Sequence, residues 1–178
     1  MDCSLVVRES TDLDLPAVQQ IYSFYVLNSL ATFEEEPPSG NELFARWRKI
    51  LDAGLPYLVA TLDDRVVGYA YASPYRARPA YRYTVEDSVY VLEGLHSKGI
   101  GRALLSGLIN RCEAGDWRQM IAIIADTGNA RSIALHSRSG FEHIGTLKAV
   151  GFKLGQWVDT VLMQRALGRG ANAAPNGP

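Results

Sequence analysis

The chain has 178 residues, enough for one domain and barely for two, and its 47% hydrophobic content supplies ample apolar surface for a core. A net charge of −1 argues against broad electrostatic binding to nucleic acid or an anionic membrane and leaves room only for a local basic patch. The two cysteines, Cys3 near the terminus and Cys112 in an expected helix, do not make a disulfide framework or a cysteine metal site, and His96, His136 and His143 have no ligand-like spacing with them.

The N-terminal "MDCSLVVRES" is polar and acidic too early for a signal peptide, and no apolar run approaches a membrane span. A cytosolic protein is expected, with no metal. "SLVVRES" fits a first strand. "TDLDLPAVQQIYSFYV" opens a helix, with Thr11 and Asp14 spaced as a capping box and Pro16 near the first turn. Val18, Ile21, Tyr22 and Tyr25 define its apolar face. "SGNELFARWRKIL" repeats the logic with Ser39 and Glu42 as the box and Leu43, Phe44, Trp47, Ile50 and Leu51 as the stripe.

"YLVATL", "DD" and "RVVGYAYASPY" read as a hairpin. "RARPAYR" is a basic loop, and "YTVEDSVYVL" is the next strand. A helix follows from Gly99, with Leu104, Leu105, Leu108 and Ile109 on one face. "QMIAIIA" is a continuous apolar run, expected to be a strand buried on both faces. "NARSIALHSRSGF" is a short helix ending at Gly140, and two further strands follow around a loop. The tail from residue 168 to 178, "LGRGANAAPNGP" after its leucine, is turn-rich and expected to be disordered, leaving residues 1–167 as the single domain. This order implies a mixed α/β (α+β) architecture: a mostly antiparallel central sheet with helices on both faces.

The strongest chemical signal is "HSKGIGRALL". Glycines let the backbone turn tightly and approach a ligand, and a helix N-terminus presents unpaired N–H groups and partial positive charge. With Lys98 and Arg102 beside it, the turn suits a phosphate or pyrophosphate. The GxxxxGK[ST] loop fails because Gly94 and Gly99 are followed by Ile100. The GxGxxG fingerprint is half met, since Leu104 replaces its third glycine. A helix start that merely turns on glycine remains the plain alternative.

The turn His96-Ser97-Lys98-Gly99-Ile100-Gly101, with Asn129-Ala130-Arg131-Ser132 some thirty residues later, resembles the signature of the GNAT superfamily of acyl-CoA N-acyltransferases. His96 departs from the Gln or Arg usual at the first turn position. "ATFEEEPP", "GYAYASPYRARPAYRYTVEDSVYV" and "VGFKLGQWVD" are similar to the phosphinothricin and methionine sulfoximine acetyltransferase branch, and the resemblance covers roughly residues 5 to 167. It implies the GNAT fold, acetyl-CoA as co-substrate, a small amine acceptor and a homodimer.

Residue by residue, the resemblance implies that Ser88, Val89, Tyr90 and Val91 of the strand hold the coenzyme, with a backbone N–H near Val89 as oxyanion donor. His96, Ser97, Lys98, Gly99, Ile100, Gly101 and Arg102 would form the pyrophosphate turn, and Asn129 and Ser132 would be further coenzyme contacts. Glu86 and Asp87 are adjacent in a strand, so their side chains point to opposite faces. The resemblance selects Glu86 as general base and leaves Asp87 structural, with an arginine as its expected partner. His136 stands where many members carry a proton-donating tyrosine; it could donate, contact the coenzyme or fill a polar core position.

Tyr75, Arg76, Ala77, Val85 and Glu86 are implied on the substrate side. Phe33 is a pocket wall or ordinary core, and Lys153 is a candidate anion partner. The basic loop disfavours a polyamine acceptor and suits a carboxylate or phosphinate. Two rival readings stay open: acetylation of a peptide N-terminus, and a non-catalytic acyl-CoA sensor, which would need neither Glu86 nor the arginines.

Overall fold

The computed structural model describes residues 4–125 and 129–175. In chain order its main elements are β1 (Leu5–Glu9), α1 (Leu15–Asn28), α2 (Gly40–Asp52), β2 (Tyr57–Leu62), β3 (Arg65–Pro74), β4 (Thr84–Val91), α3 (Ile100–Glu113), β5 (Gln119–Ala125), α4 (Ala130–Arg138), β6 (Glu142–Lys153) and β7 (Gln156–Ala166). The strands form one seven-stranded sheet in the order β1-β2-β3-β4-β5-β7-β6. Every neighbouring pair is antiparallel except β4 and β5.

Local chemistry accounts for most boundaries. Asp63 and Asp64 take φ of 47° and 61°, and Leu154 and Gly155 take 49° and 77°, the left-handed pairs that close two-residue hairpins with the right twist. The expected box at Thr11 forms: the Thr11 N–H donates to Asp14 Oδ2 at 2.8 Å. Asp14 also receives both Arg8 guanidinium nitrogens at 2.7 Å. The second box is half made. The Glu42 N–H donates to Ser39 Oγ at 3.2 Å, but the Glu42 carboxylate turns away to Arg46.

Strand alternation sorts the core into two unlike faces. Tyr57, Tyr69, Tyr71 and Tyr90 form a row of rings on the side of α1, with Tyr22 and Tyr25 packed edge-on against Tyr90 at 5.2 Å. The opposite face carries small residues and receives α3. A Cβ at Gly68 would lie 2.8 Å from the Tyr90 carbonyl oxygen and 3.0 Å from Leu104, so the absent side chain is what lets α3 settle. Leu104, Leu105, Leu108, Ile109 and Cys112 of α3 are all buried. In α2 the stripe is narrower than expected: Leu43, Trp47 and Ile50 are buried and Phe44 is exposed.

Two expectations change. The apolar run of β5 is not covered on both faces: Met120, Ala122 and Ile124 are buried, whereas Ile123 is 41% exposed because no helix covers that side. The segment after Leu167 is not structureless throughout. A 3-10 turn spans Gly170–Asn172, with the Asn172 N–H on the Arg169 carbonyl, and Gly170 is buried against Ala166. Residues 176–178, and Cys3 at the other end, lie outside the described residues.

Gly68→Ala tests the two-faced packing. Its new methyl meets a backbone oxygen that cannot move aside, so the expected loss is about 1–3 kcal/mol, read as a lower urea midpoint at unchanged slope.

Candidate active site

The parallel seam between β4 and β5 holds only over Thr84–Glu86 against Gln119–Ile121. Beyond it β4 continues on β3 as far as Val91, and β5 continues on β7 as far as Ala125. The two strands therefore splay into a wedge. The Tyr75 N–H donates to the Thr84 carbonyl at 3.2 Å and the Leu92 N–H to the Val67 carbonyl at 2.8 Å. Even-numbered residues thus spend their backbone groups on β3, and odd-numbered ones turn theirs toward the gap. The Val89 N–H and C=O and the Val91 N–H face the wedge, while the Val91 carbonyl takes the Tyr25 hydroxyl at 2.6 Å.

A cavity of about 260 Å³ fills the gap. Of the residues singled out in the sequence, it is lined by Phe33, Glu86, Ser88, Val89, Tyr90, Asn129, Ser132 and His136. It follows the open edge of β4 rather than one face, so Glu86 and Asp87 both border it from opposite sides of the sheet. The β3–β4 register shows no bulge.

The two acids have different surroundings. Glu86 stands on the tyrosine face. Burial pushes its carboxyl up to about 7, the Asp87 charge adds to this and the Arg76 charge opposes it. Asp87 is buried on the helical face, and its partner is not an arginine. Asp87 Oδ2 lies 2.9 Å from His136 Nε2, with both side chains almost fully enclosed. His136 Nδ1 lies 2.7 Å from the Ser132 carbonyl, which can only accept, so Nδ1 carries a proton. Burial opposes charge on His136, but the Asp87 hydrogen bond and charge and the Ser132 carbonyl outweigh it and raise its pKa. Both ring nitrogens are engaged, which favours the supporting role for His136 over proton donation.

The glycine turn stands at the wide end of the wedge, outside the cavity lining. Gly99 is the N-cap of α3 at φ 81°, and Ser97 is left-handed too at 67°. Gly101 sits between Val91 and Leu135 of α4, with ordinary room for a methyl. The first N–H groups of α3 have no partner within the helix, and Lys98 and Arg102 beside them are exposed. Ile100 is 1% exposed, so only its backbone can serve a ligand. His96 Nε2 is 3.1 Å from Glu93 and 3.4 Å from the Tyr25 hydroxyl. From Glu86 to Val91 the strand spans roughly 17 Å. An open backbone edge leading to a helix N-terminus flanked by cations fits an extended arm that ends on a pyrophosphate, as the pantetheine arm of acetyl-CoA does.

Other expectations are corrected. Val85 is 1% exposed, because alternation puts it in the core on the Asp87 side, so its side chain cannot touch a substrate. Lys153 is 2% exposed, and its ammonium donates to the Ser29 and Thr32 carbonyls at 2.8 Å each, so it is not free for a substrate anion. Arg76 is exposed and stacks on Tyr75 at 5.0 Å, and Ala77 lies in the same exposed loop. Tyr22, Thr32 and Tyr71 line the cavity without having been singled out as site residues. Tyr22 shows only as part of a helical stripe, and Thr32 and Tyr71 lie within the stretches that carry the resemblance, with nothing in their spacing to single out their side chains.

The chain matches the acetyltransferase (GNAT) domain over residues 7–162. It is 53% identical over 173 residues to the phosphinothricin N-acetyltransferase of Alcaligenes faecalis, covering 97% of this chain and 88% of the relative. It is 39% identical to an L-methionine sulfoximine/L-methionine sulfone acetyltransferase of Pseudomonas aeruginosa, covering 90% and 94%. The crystal structure of a phosphinothricin acetyltransferase from Sinorhizobium meliloti in complex with acetyl-CoA superposes with a TM-score of 0.93 at 48% identity, covering 97% and 93%.

Asp87→Asn removes the carboxylate that bonds the buried His136 ring and raises its pKa. The expected cost is about 3–5 kcal/mol near pH 6, with the His136 ring turning neutral at that pH by NMR. Because the folded His136 pKa is raised, the pair's contribution is complete below about pH 6.5 and fades as pH rises through the raised value. The wild-type and variant stability curves should therefore converge at alkaline pH.

Proposed function

The chain belongs to the GNAT acetyltransferase family, and we propose that it transfers acetyl from acetyl-CoA to the amine of a small amino-acid analogue such as phosphinothricin or methionine sulfoximine/sulfone. The observation that carries the reading is Glu86: a half-buried carboxyl pushed up to about 7, bordering a cavity whose other border is an open strand edge. The names of the relatives support the acceptor class.

Bound acetyl-CoA would supply a thioester carbonyl for the amine to attack: the C–N bond forms, the C–S bond breaks, and coenzyme A leaves as the thiolate and takes up a proton from water or from the protonated Glu86. An α-amino group of pKa about 7.7–8.0 arrives largely protonated at neutral pH. Glu86, ionised above about 7, is matched to take that proton directly or through a water. The Val89 N–H is the donor for charge developing on the acetyl oxygen. The α3 N-terminus, with Lys98 and Arg102, holds the pyrophosphate, while Asn129 and Ser132 border the cavity from the α4 side. The exposed Arg76 is placed to meet the acceptor's carboxylate or phosphinate. His136, held between the Ser132 carbonyl and Asp87, ties α4 to β4.

A homodimer belongs to the same reading. Ile144, Leu147, Val150, Phe152, Leu154 and Trp157 of the β6–β7 hairpin are all exposed, an apolar display that a second copy would cover.

Four measurements test the proposal. Coenzyme-thiol release over an amino-acid panel should rise with phosphinothricin or methionine sulfoximine; acetylation of N-terminal peptides alone would replace the acceptor class. Glu86→Gln should lower kcat by ~10²–10⁴ while acetyl-CoA affinity holds. In the wild type kcat/KM should climb with pH through about 7, as Glu86 ionises, and that limb should vanish in the variant. Trp157→Asp should shift the sedimentation profile toward monomer.

A further inference from the structure

Lys153 is the last residue of β6, and its burial has no electrostatic return of the usual kind. Its ammonium is held by the Ser29 and Thr32 carbonyls, 2.8 Å away in each case, and neither partner is a carboxylate. Burial lowers its pKa, with the Glu35 and Glu34 charges opposing. A cation in such a place is costly, and an apolar side chain of similar length would fill the channel more cheaply. What the lysine adds is two fixed points on one loop.

Gly151 lies two residues earlier on the same face of β6. A Cβ there would fall 2.0 Å from the Phe33 ring, so the ring rests directly on the glycine. The two β6 residues thus hold the loop at Ser29, Thr32 and Phe33. The α1 side adds the Tyr22 hydroxyl, 3.0 Å from Thr32 Oγ1, and α2 adds Arg46, 2.6 Å from Glu34. This loop brings Ala31, Thr32 and Phe33 into the cavity that Glu86 also lines.

We infer that Lys153 and Gly151 are positioning residues for the acceptor: from β6 they fix the loop at 29–33 as the wall that holds the amine substrate beside Glu86. The inference rests on the acetyl-transfer reading above and goes beyond it, because neither residue needs to touch the substrate. It also separates the two substrates of the reaction. The coenzyme edge of the wedge is built from β4, α3 and α4, none of which Lys153 or Gly151 bonds to.

The test compares wild type, Lys153→Met and Gly151→Ala, with acetyl-CoA and phosphinothricin or methionine sulfoximine varied separately, and follows amide exchange. Both variants should raise the acceptor KM about tenfold while the acetyl-CoA KM stays within about twofold. Lys153→Met should speed exchange at 29–34 and leave β4 and α3 protected. Gly151→Ala should displace Phe33 without that change, and it keeps the test alive if Lys153→Met does not fold. An unchanged acceptor KM in Gly151→Ala or Lys153→Met overturns the inference, as does a parallel rise of both KM values with exchange across the whole sheet. If the wild type acetylates no acceptor, the activity reading falls and exchange alone decides: an unaltered loop in Lys153→Met then overturns the inference.

Discussion

The seam between β4 and β5 closes over three residue pairs and then stops, while each strand keeps its other neighbour. A strand edge inside a sheet is normally paired on both sides, because a backbone N–H or C=O without a partner costs free energy comparable to a lost hydrogen bond. Here the groups of Val89 and the N–H of Val91 are turned toward the gap. The sheet stays whole because its outer pairings are uninterrupted, and the gap is spanned on one face by the bond from α4 to β4 through His136 and Asp87. Cavity, coenzyme edge and catalytic candidate all depend on that interruption.

The interruption also explains how adjacent acids come to differ. Glu86 is the last residue of the seam and Asp87 the first beyond it. Alternation sends Asp87 to the helical face, where a buried imidazole meets it, and sends Glu86 to the tyrosine face. There, among the described residues, no hydrogen bond or ion pair holds its charged form. One charge is thereby held by the architecture and the other is left for the proposed proton transfer. The same one-residue step that separates their faces couples them, since the Asp87 charge helps to raise Glu86. Two carboxyl groups with divergent environments are a common way for one site to divide its tasks.

Much of this was legible from the chain. The seven strands, the aspartate and glycine hairpin turns and the Thr11–Asp14 box are local features, and local chemistry decides them. The glycine turn and Glu86 were legible through spacing and resemblance. What escaped was set by coverage. Ile123 reads as core and is exposed because no helix lies over it. Lys153 reads as a candidate partner for a substrate anion and is buried because a distant loop folds onto it. Val85 shares a motif with Glu86, yet alternation removes it from the cavity. The partner of Asp87 lies 49 positions away on a helix, and no periodicity encodes that distance. Glu42 had the right spacing for a cap but a stronger attraction to Arg46.

The row of tyrosines has one more consequence, for the titration of the site. Burial pushes Tyr22 up to about 12, raises Tyr71 and takes Tyr90 well above the ordinary phenol range. The acceptor-side wall therefore stays uncharged across the whole interval in which Glu86 ionises. Glu34, the neighbouring acid, is tied to Arg46. Glu86 thus changes charge beside phenols that stay neutral, and any alkaline limit on turnover has to originate in a group other than these phenols.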